Sequence, residues 1–452
     1  MNHASLSQQF NADPARVDWH NETLWLIRQK RDKAATALLE WEALREEASQ
    51  IKLHALANLA DYLEQFEQQA QVNGVHVHWA ADAQEHNAIV HRILTKAGIH
   101  QVVKSKSMLT EECGLNEYLA HQGIEVVDTD LGERIVQLAG EAPSHIVLPC
   151  IHKKKDEIGA LFHEHLGTPM GQSDPQALTE AARLHLREKF LTRKAAITGV
   201  NFAIAETGEL VVCTNEGNAD MGAHLADVHI ATMGIEKVIP AREHLGVFLR
   251  LLARSATGQP ITTYSSHFRK PRAGQQMHVV LVDNGRTNQL ASPDFRNSLK
   301  CIRCGACFNT CPVYRRSGGH SYHTAIAGPI GSILAPNLDR QAYADLPFAS
   351  TLCGSCTHVC PVKIDIHQQL YRWRQTLVQQ GHVEPSKSLA MKWLTRVLSH
   401  PQRMQRAGKA LRWLMRVLPV VFQHRFNPWY RQRELPVAPR SSFKEWYQQN
   451  RP

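Results

Sequence analysis

An α/β fold with a largely parallel sheet, entered through helices and followed by a cysteine-bearing helical region, is predicted by three features of the 452-residue sequence. Short apolar runs alternate with amphipathic stretches between residues 75 and 150, the pattern of βαβ units. A stretch rich in Ala, Leu, Glu and Gln, without Gly or Pro, precedes them. Seven of the ten cysteines crowd into residues 301 to 360. With 43% hydrophobic residues the chain can bury a substantial core, and at roughly 150 residues per domain its length suggests two to three domains.

Taken in order, residues 1–70 form an N-terminal helical segment in which Leu38, Trp41, Leu44, Ala48 and Ile51 recur at helical spacing, as one or two long helices. Residues 71–295 form the α/β domain. Its expected strands are "VHVHW" (75–79), "QVVKS" (101–105), "IEVVDTD" (124–130) and "HIVLPC" (145–150). "AAITGVNFAIAETGELVVC" (195–213) then gives strand, turn, strand, hairpin and strand, punctuated by Gly199 and by Thr207-Gly208. "DVHIATM" (227–233) and "MHVVLVDN" (277–284) supply the last strands. Residues 296–384 carry the clustered cysteines, and residues 385–452 form a basic tail that is helical to about residue 425.

The net charge of +9 is local, because residues 385 to 433 hold eleven Lys and Arg and no Asp or Glu. A basic appendage on a near-neutral body predicts a docking surface and not general nucleic-acid binding, for which no helix-turn-helix or aromatic-interleaved strand platform is present. Leu389, Trp393, Leu394 and Val397, then Leu411, Leu414, Met415 and Leu418, recur at helical spacing opposite Lys and Arg. Such helices suit either an anionic membrane surface or the protein's own body. The opening residues have no apolar leader, and no apolar run approaches the roughly 18 residues of a membrane span. A cytoplasmic location is expected, or a peripheral one at the inner face of the membrane.

"CIRCGACFNTCP" sets Cys301, Cys304, Cys307 and Cys311 in C-x2-C-x2-C-x3-C-P, the spacing in which three thiolates wrap one 4Fe-4S cubane and the fourth serves a second cluster. Aligning Cys360-Pro361 of "FASTLCGSCTHVCPV" on Cys311-Pro312 puts Cys356 and Cys353 on the third and second positions and Ser350 on the first. Crossing the fourth cysteines gives cluster one as Cys301, Cys304, Cys307 and Cys360, and cluster two as Cys311, Cys353 and Cys356. The fourth corner of cluster two takes Ser350, another ligand or water, or is absent, leaving a 3Fe-4S centre. A serine alkoxide ranks below an open or lost corner, being a poor partner for iron in a sulfide cluster. Structural zinc pairs two C-x2-C hairpins and does not use this spacing. The separation of 41 residues between Cys311 and Cys353 predicts helices between the motifs, a helical ferredoxin-type arrangement. "YRRSGGHSYH" (314–323) either shields a cluster or uses its Gly pair as a helix stop.

Outside this region the motifs are weak. Cys113, Cys150 and Cys213 are isolated and expected to be buried thiols. "KSKSMLTEE" predicts a strand end leading into a helix capped by Thr110, with Ser105, Lys106 and Ser107 as an anion site, or else a plain cap with Lys104 and Lys106 as solvated lysines. "TNEGNADMG" (214–222) follows a strand, where α/β sheets place ligand sites, or is a long turn; Glu206 and Glu216 are its candidate carboxylates. There is no P-loop, no G-x-G-x-x-G after a strand and no H-E-x-x-H.

The stretches "KSKSMLTEECGLNEYL" (104–119), "ITGVNFAIAETGELVVCTNEGNADM" (197–221), "CIRCGACFNTCPVYRRSGGHSY" (301–322) and "LCGSCTHVCPVKI" (352–364) together resemble the lactate-utilisation iron-sulfur proteins of the LutB type, over about residues 20 to 400. The resemblance implies an electron-transfer subunit of an L-lactate oxidising system, working with a cysteine-rich partner subunit and a second lactate-utilisation subunit. Electrons would pass from a partner dehydrogenase to a downstream carrier such as a quinone. It also implies a lactate-utilisation domain similar in fold to sugar-phosphate isomerases and CoA transferases. A second motif with three cysteines is common to these proteins, so Ser350 is a shared trait. The competing reading makes this chain the hydroxyacid dehydrogenase, with substrate at the second cluster or in the α/β domain; the sequence offers no hydride acceptor for it.

Overall fold

The computed structural model describes residues 2–424, 427, 430 and 436–451. One compact unit ends at Thr376 and a second begins at Leu377, inside helix Ile366–Gln379. In the first unit β1 (His76–Ala80), β2 (Gln101–Lys104), β3 (Glu125–Asp128), β4 (Ala195–Gly199), β7 (Val228–Gly234) and β10 (Gln276–Val282) form a six-stranded sheet in the order β1-β10-β7-β4-β2-β3. Every pairing in it is parallel. A four-stranded sheet, β8-β5-β6-β9, is built from β5 (Phe202–Ile204), β6 (Glu209–Thr214), β8 (Val238–Ile239) and β9 (Tyr264–Phe268). The β5–β6 pair is the hairpin expected around Thr207-Gly208, and Gly208 at φ +68 supplies the left-handed turn residue.

Side-chain alternation explains how the large sheet is covered on both faces. Val279 and Leu281 of β10, with Ala231 and Met233 of β7, pack against Leu59, Leu63, Phe66 and Ala70 of helix Leu59–Val72. The alternate residues Val280, Val282, Val228 and Ile230 meet Ile89, Val90, Ile93 and Leu94 of helix Ala83–Lys96. Full burial of each such side chain stabilises by roughly 1.5–3 kcal/mol, so β7 and β10 anchor a three-layer core.

Two expectations are corrected. The N-terminal segment forms four helices, His3–Phe10, Pro14–Thr36, Trp41–Ala57 and Leu59–Val72, rather than one or two. Leu38 falls in the break between the second and third. "HIVLPC" is not a strand. Pro149 has no N–H to give a ladder, and the His145 ring takes the N–H groups of Val147 and Leu148 at 3.0 Å each. The segment closes as a turn in which Pro149 O accepts from Ser144 N.

The tail unit contains helices Pro385–Leu398 and Pro401–Val417, with Trp393, Leu411 and Trp413 exposed. Arg425, Arg431 and Arg433 of the basic stretch lie outside the described residues. No helix among the described residues is long and apolar enough to cross a membrane.

At the end of β2, Lys104 is fully buried and pairs with Asp128 of β3 at 2.7 Å and Glu111 at 3.0 Å, with Glu133 at 3.9 Å. Burial pushes its ammonium down, but the three carboxylates outweigh that and hold it well above the ordinary lysine range. Burial also holds the Glu133 carboxyl toward its protonated form. Lys104→Met leaves Asp128 buried without its cation, so it should destabilise by about 3–5 kcal/mol. A urea midpoint by circular dichroism unchanged from the parent protein would contradict this.

Candidate iron-sulfur site

The two cysteine motifs fold alike. Cys301 Sγ accepts the N–H of Arg303 at 3.4 Å, and Ser350 Oγ accepts the N–H of Leu352 at 3.1 Å. Arg303 and Leu352 are both left-handed, at φ +59 and +55, and the glycines two residues further on follow at +75 (Gly305) and +79 (Gly354). Side chains held in that region cost on the order of 1–3 kcal/mol each, so the shared kinks mark one imposed geometry. Each kink opens a short helix, Ala306–Thr310 and Ser355–Val359, and each helix ends at a Cys-Pro. There Cys311 Sγ accepts from Tyr314 N at 3.5 Å and Cys360 Sγ from Ile364 N at 3.4 Å. The two short helices pack together, joined by a hydrogen bond between the Thr310 and Ser355 hydroxyls. Ser350 thus occupies the place in the second motif that Cys301 occupies in the first.

Folding sorts the thiols into two groups. Cys301, Cys304, Cys307 and Cys360 line one small cavity, walled by Ile146, Ile302, Ile330 and Ile364. Burial, then the repulsion of neighbouring thiolates, pushes the Cys304 and Cys307 thiols far up. Cys311, Cys353 and Cys356 form the second group, in which burial and the neighbouring Cys311 raise Cys356 to about 12. Cys307 of the first group and Cys356 of the second sit on the two short helices that pack together, so the two groups lie side by side. Cys353 alone among the seven is exposed.

These residues fit iron-sulfur clusters. Cys304 and Cys360 are buried and Cys307 is half-buried, burial raises all three thiols, and a cationic core is what would bring them to thiolate, the form that binds iron. Four cysteines around one cavity, in the C-x2-C-x2-C-x3-C-P spacing and not as two paired C-x2-C hairpins, suit a multi-iron core better than one zinc ion.

The surrounding shell comes from distant sequence. Arg45 donates to Cys360 O at 2.8 Å and His358 O at 2.9 Å, and Arg31 to Val359 O at 3.0 Å. The helix ends of the second motif are therefore tied to the N-terminal helices. Neither arginine is signalled by any local motif. His145 Nε2 donates to Asn309 Oδ1 at 3.0 Å, and burial lowers its pKa to about 3, which keeps the ring neutral. In "YRRSGGHSYH" the Gly pair is the helix stop, and the stretch also approaches the second thiol group. Gly318, at φ +68, ends helix Pro312–Ser317, while Tyr314 and Tyr322 are fully buried near Cys311. Gly319 is required by close approach, since a Cβ there would lie 1.7 Å from Ser144 O.

The weaker candidates divide. Ser107, not Thr110, caps helix Met108–Glu112, its Oγ accepting from Thr110 N at 3.4 Å; Thr110 already lies inside the helix. Lys106 is not a solvated lysine: it pairs with Asp130 at 2.9 Å. Both line a cavity of about 310 Å3 at the carboxyl ends of the parallel strands, which Glu216 and Cys304 also line. Glu206 stands apart, exposed and accepting from Arg242 N at 3.0 Å. Cys113 is buried and raised to about 12. Cys150 and Cys213, expected to be buried, are only half-buried, with thiols raised by desolvation to about 11.

Residues 63–288 match the LUD domain, and residues 297–364 match the 4Fe-4S dicluster domain. The molecule is thus an iron-sulfur protein in which a dicluster module follows a LUD domain. Along most of its length the chain is 41% identical to Lactate utilization protein B of Bacillus pumilus, over 438 residues covering 90% of this chain and 92% of that one. It is 42% identical to Lactate utilization protein B of Macrococcus caseolyticus, covering 86% and 83% of the two chains. The Uncharacterized electron transport protein YkgF of Escherichia coli is also 42% identical, covering 83% and 80%. The chain belongs to the lactate utilization protein B family.

Because Ser350 already has the backbone geometry of Cys301, Ser350→Cys should supply a fourth thiolate without rebuilding the motif. In the parent protein, brief air exposure should yield a 3Fe-4S electron paramagnetic resonance signal. In Ser350→Cys that signal should fall severalfold. Equal signals in the two proteins would refute the equivalence.

Proposed function

We propose that this chain is the electron-transfer subunit of an L-lactate oxidation system, with one cluster on Cys301, Cys304, Cys307 and Cys360 and a second on Cys311, Cys353 and Cys356. The observation that carries this reading is the side-by-side placement of two thiol groups, one enclosed and one reaching the surface at Cys353. The names of the relatives, lactate utilization and electron transport, agree with it. The clusters, when bound, supply one-electron storage at two adjacent positions.

The protein's own residues do the rest. Arg31 and Arg45 fix the carbonyls around Cys360, Ile146 and Ile330 keep water from the first cavity, and Tyr314 and Tyr322 cover Cys311. Such a relay passes electrons between a partner dehydrogenase and a downstream carrier. A cysteine-rich subunit and a second lactate-utilisation subunit are the partners this reading requires. Oxidising lactate to pyruvate releases two electrons and two protons, so the hydride-accepting step falls to the partner. A second reading, in which this chain itself binds the hydroxyacid, is favoured by one feature, the cavity beside Cys304.

Purified, cluster-replete protein alone should not reduce a dye with L-lactate, and adding the partner subunits should restore dye reduction. Cys304→Ala should abolish that flow while the LUD domain stays folded. Lactate-dependent dye reduction by this chain alone, lost in Ser350→Cys, would move catalysis to the second cluster.

A further inference from the structure

The 310 Å3 cavity spans the carboxyl ends of β2, β4, β7 and β10, the edge at which open parallel sheets bind ligands. Its volume is at the lower end of small-molecule sites. Apolar side chains, among them Leu109, Val212 and Leu252, form part of the wall, and Cys304 of the first thiol group forms another part.

The polar groups of the wall are mostly donors. Lys237, in the turn that follows β7, lines the cavity, and among the described residues its ammonium has no hydrogen-bond or ion-pair partner. Arg303 turns one nitrogen to Glu236 at 3.5 Å, while its Nη1 is buried without a partner. Asn201, past the end of β4, spends its Oδ1 on Cys213 N at 2.9 Å, which leaves its amide N–H groups for the cavity. Ser107 Oγ accepts from Thr110 N and keeps its own proton to give. Three of the four carboxylates in the wall are paired with cations, and the fourth, Glu216, takes only the N–H of Leu131 at 3.1 Å, burial beside Asp130 holding it toward its protonated form. Arg286 holds Glu112 at 3.0 Å and also Glu236, Lys52 caps the Glu236 carbonyl, and Lys106 holds Asp130. A buried donor without an acceptor, as at Arg303 Nη1, is unfavourable, so the arrangement is suited to a ligand that brings acceptors and negative charge.

We propose that this cavity binds an organic acid, its carboxylate received by Lys237 and Arg303 and its other oxygens by Asn201 and Ser107, beside Cys304. The ligand's carbon body lies on the Leu109, Val212 and Leu252 wall. The proposal concerns binding and requires no redox step in the cavity. It stands independently of the electron-carrier role.

Isothermal titration calorimetry under anaerobic conditions tests it, on full-length, cluster-replete protein titrated with L-lactate, pyruvate, citrate and orthophosphate. At least one of the three carboxylates should bind, and orthophosphate should bind at least tenfold more weakly. Lys237→Met should weaken the bound acid at least tenfold, and Lys237→Arg should retain it. Asn201→Asp keeps the acceptor for Cys213 N while placing negative charge in the cavity, so it too should weaken binding at least tenfold. The inference is overturned if none of the three acids binds at millimolar concentration or if orthophosphate binds as well as they do. It is also overturned if Lys237→Met alters the cluster spectrum but not the affinity, for then the lysine is only a counter-charge to the thiolates. Cluster spectra and partner-dependent dye reduction on the same samples report separately on the electron-carrier reading.

Discussion

Seven thiols must be held in two adjacent groups, one lining a small apolar cavity and the other reaching the surface at Cys353, and most of the first unit is arranged to meet that demand. A buried thiolate is unfavourable unless a cation faces it, and an iron core binds well only where the sulfurs are already in position. The protein sets them with a repeated local device: a left-handed residue, a left-handed glycine, one turn of helix and a Cys-Pro. Arg303 and Leu352, then Gly305 and Gly354, repeat their angles within a few degrees. Because the device fixes the backbone, the side chain at its first position is free to be Cys301 or Ser350 without changing the fold.

The LUD domain and the dicluster module are connected through charge as well as packing. Arg303 lies between Cys301 and Cys304 in sequence and pairs with Glu236 at the end of β7. Glu236 in turn pairs with Arg286, just past β10, and Arg286 with Glu112. Burial alone would raise the Glu236 carboxyl, yet Arg286 and Arg303 hold it at about 2. This chain of alternating charges carries the geometry of the first motif directly onto the carboxyl edge of the sheet. Breaking such a buried network by removing one member is far more costly than the net worth of the pair.

The chemistry was legible in the sequence because cysteine spacing is local: the ligand sets follow from counting residues, and Ser350 from sliding one motif along the other. The parallel strands were equally legible, since β7 and β10 are buried on both faces and show it as mainly apolar runs, interrupted by His229 and Thr232 in β7 and by His278 in β10. "HIVLPC" misled for the same reason. Its apolar side chains are buried, Ile146 against the first thiol cavity, but Pro149 and the His145 ring remove the hydrogen bonds a strand needs. The cap at Ser107 was misassigned because three residues of "SKSMLT", Ser105, Ser107 and Thr110, can cap a helix start, and only backbone geometry chooses among them. Arg31, Arg45 and Lys237 were not legible at all. Arg31 and Arg45 act on carbonyls far away in sequence, Lys237 has no partner among the described residues, and an isolated basic residue carries no periodicity.

That the two clusters differ at one corner is the claim on which the account depends. Mössbauer spectroscopy of anaerobically isolated protein labelled with 57Fe measures each iron environment directly. The account predicts two clusters, one with every iron in tetrathiolate-type coordination and one with a distinct or missing fourth iron. Two indistinguishable four-iron clusters, or zinc in place of iron, would contradict it.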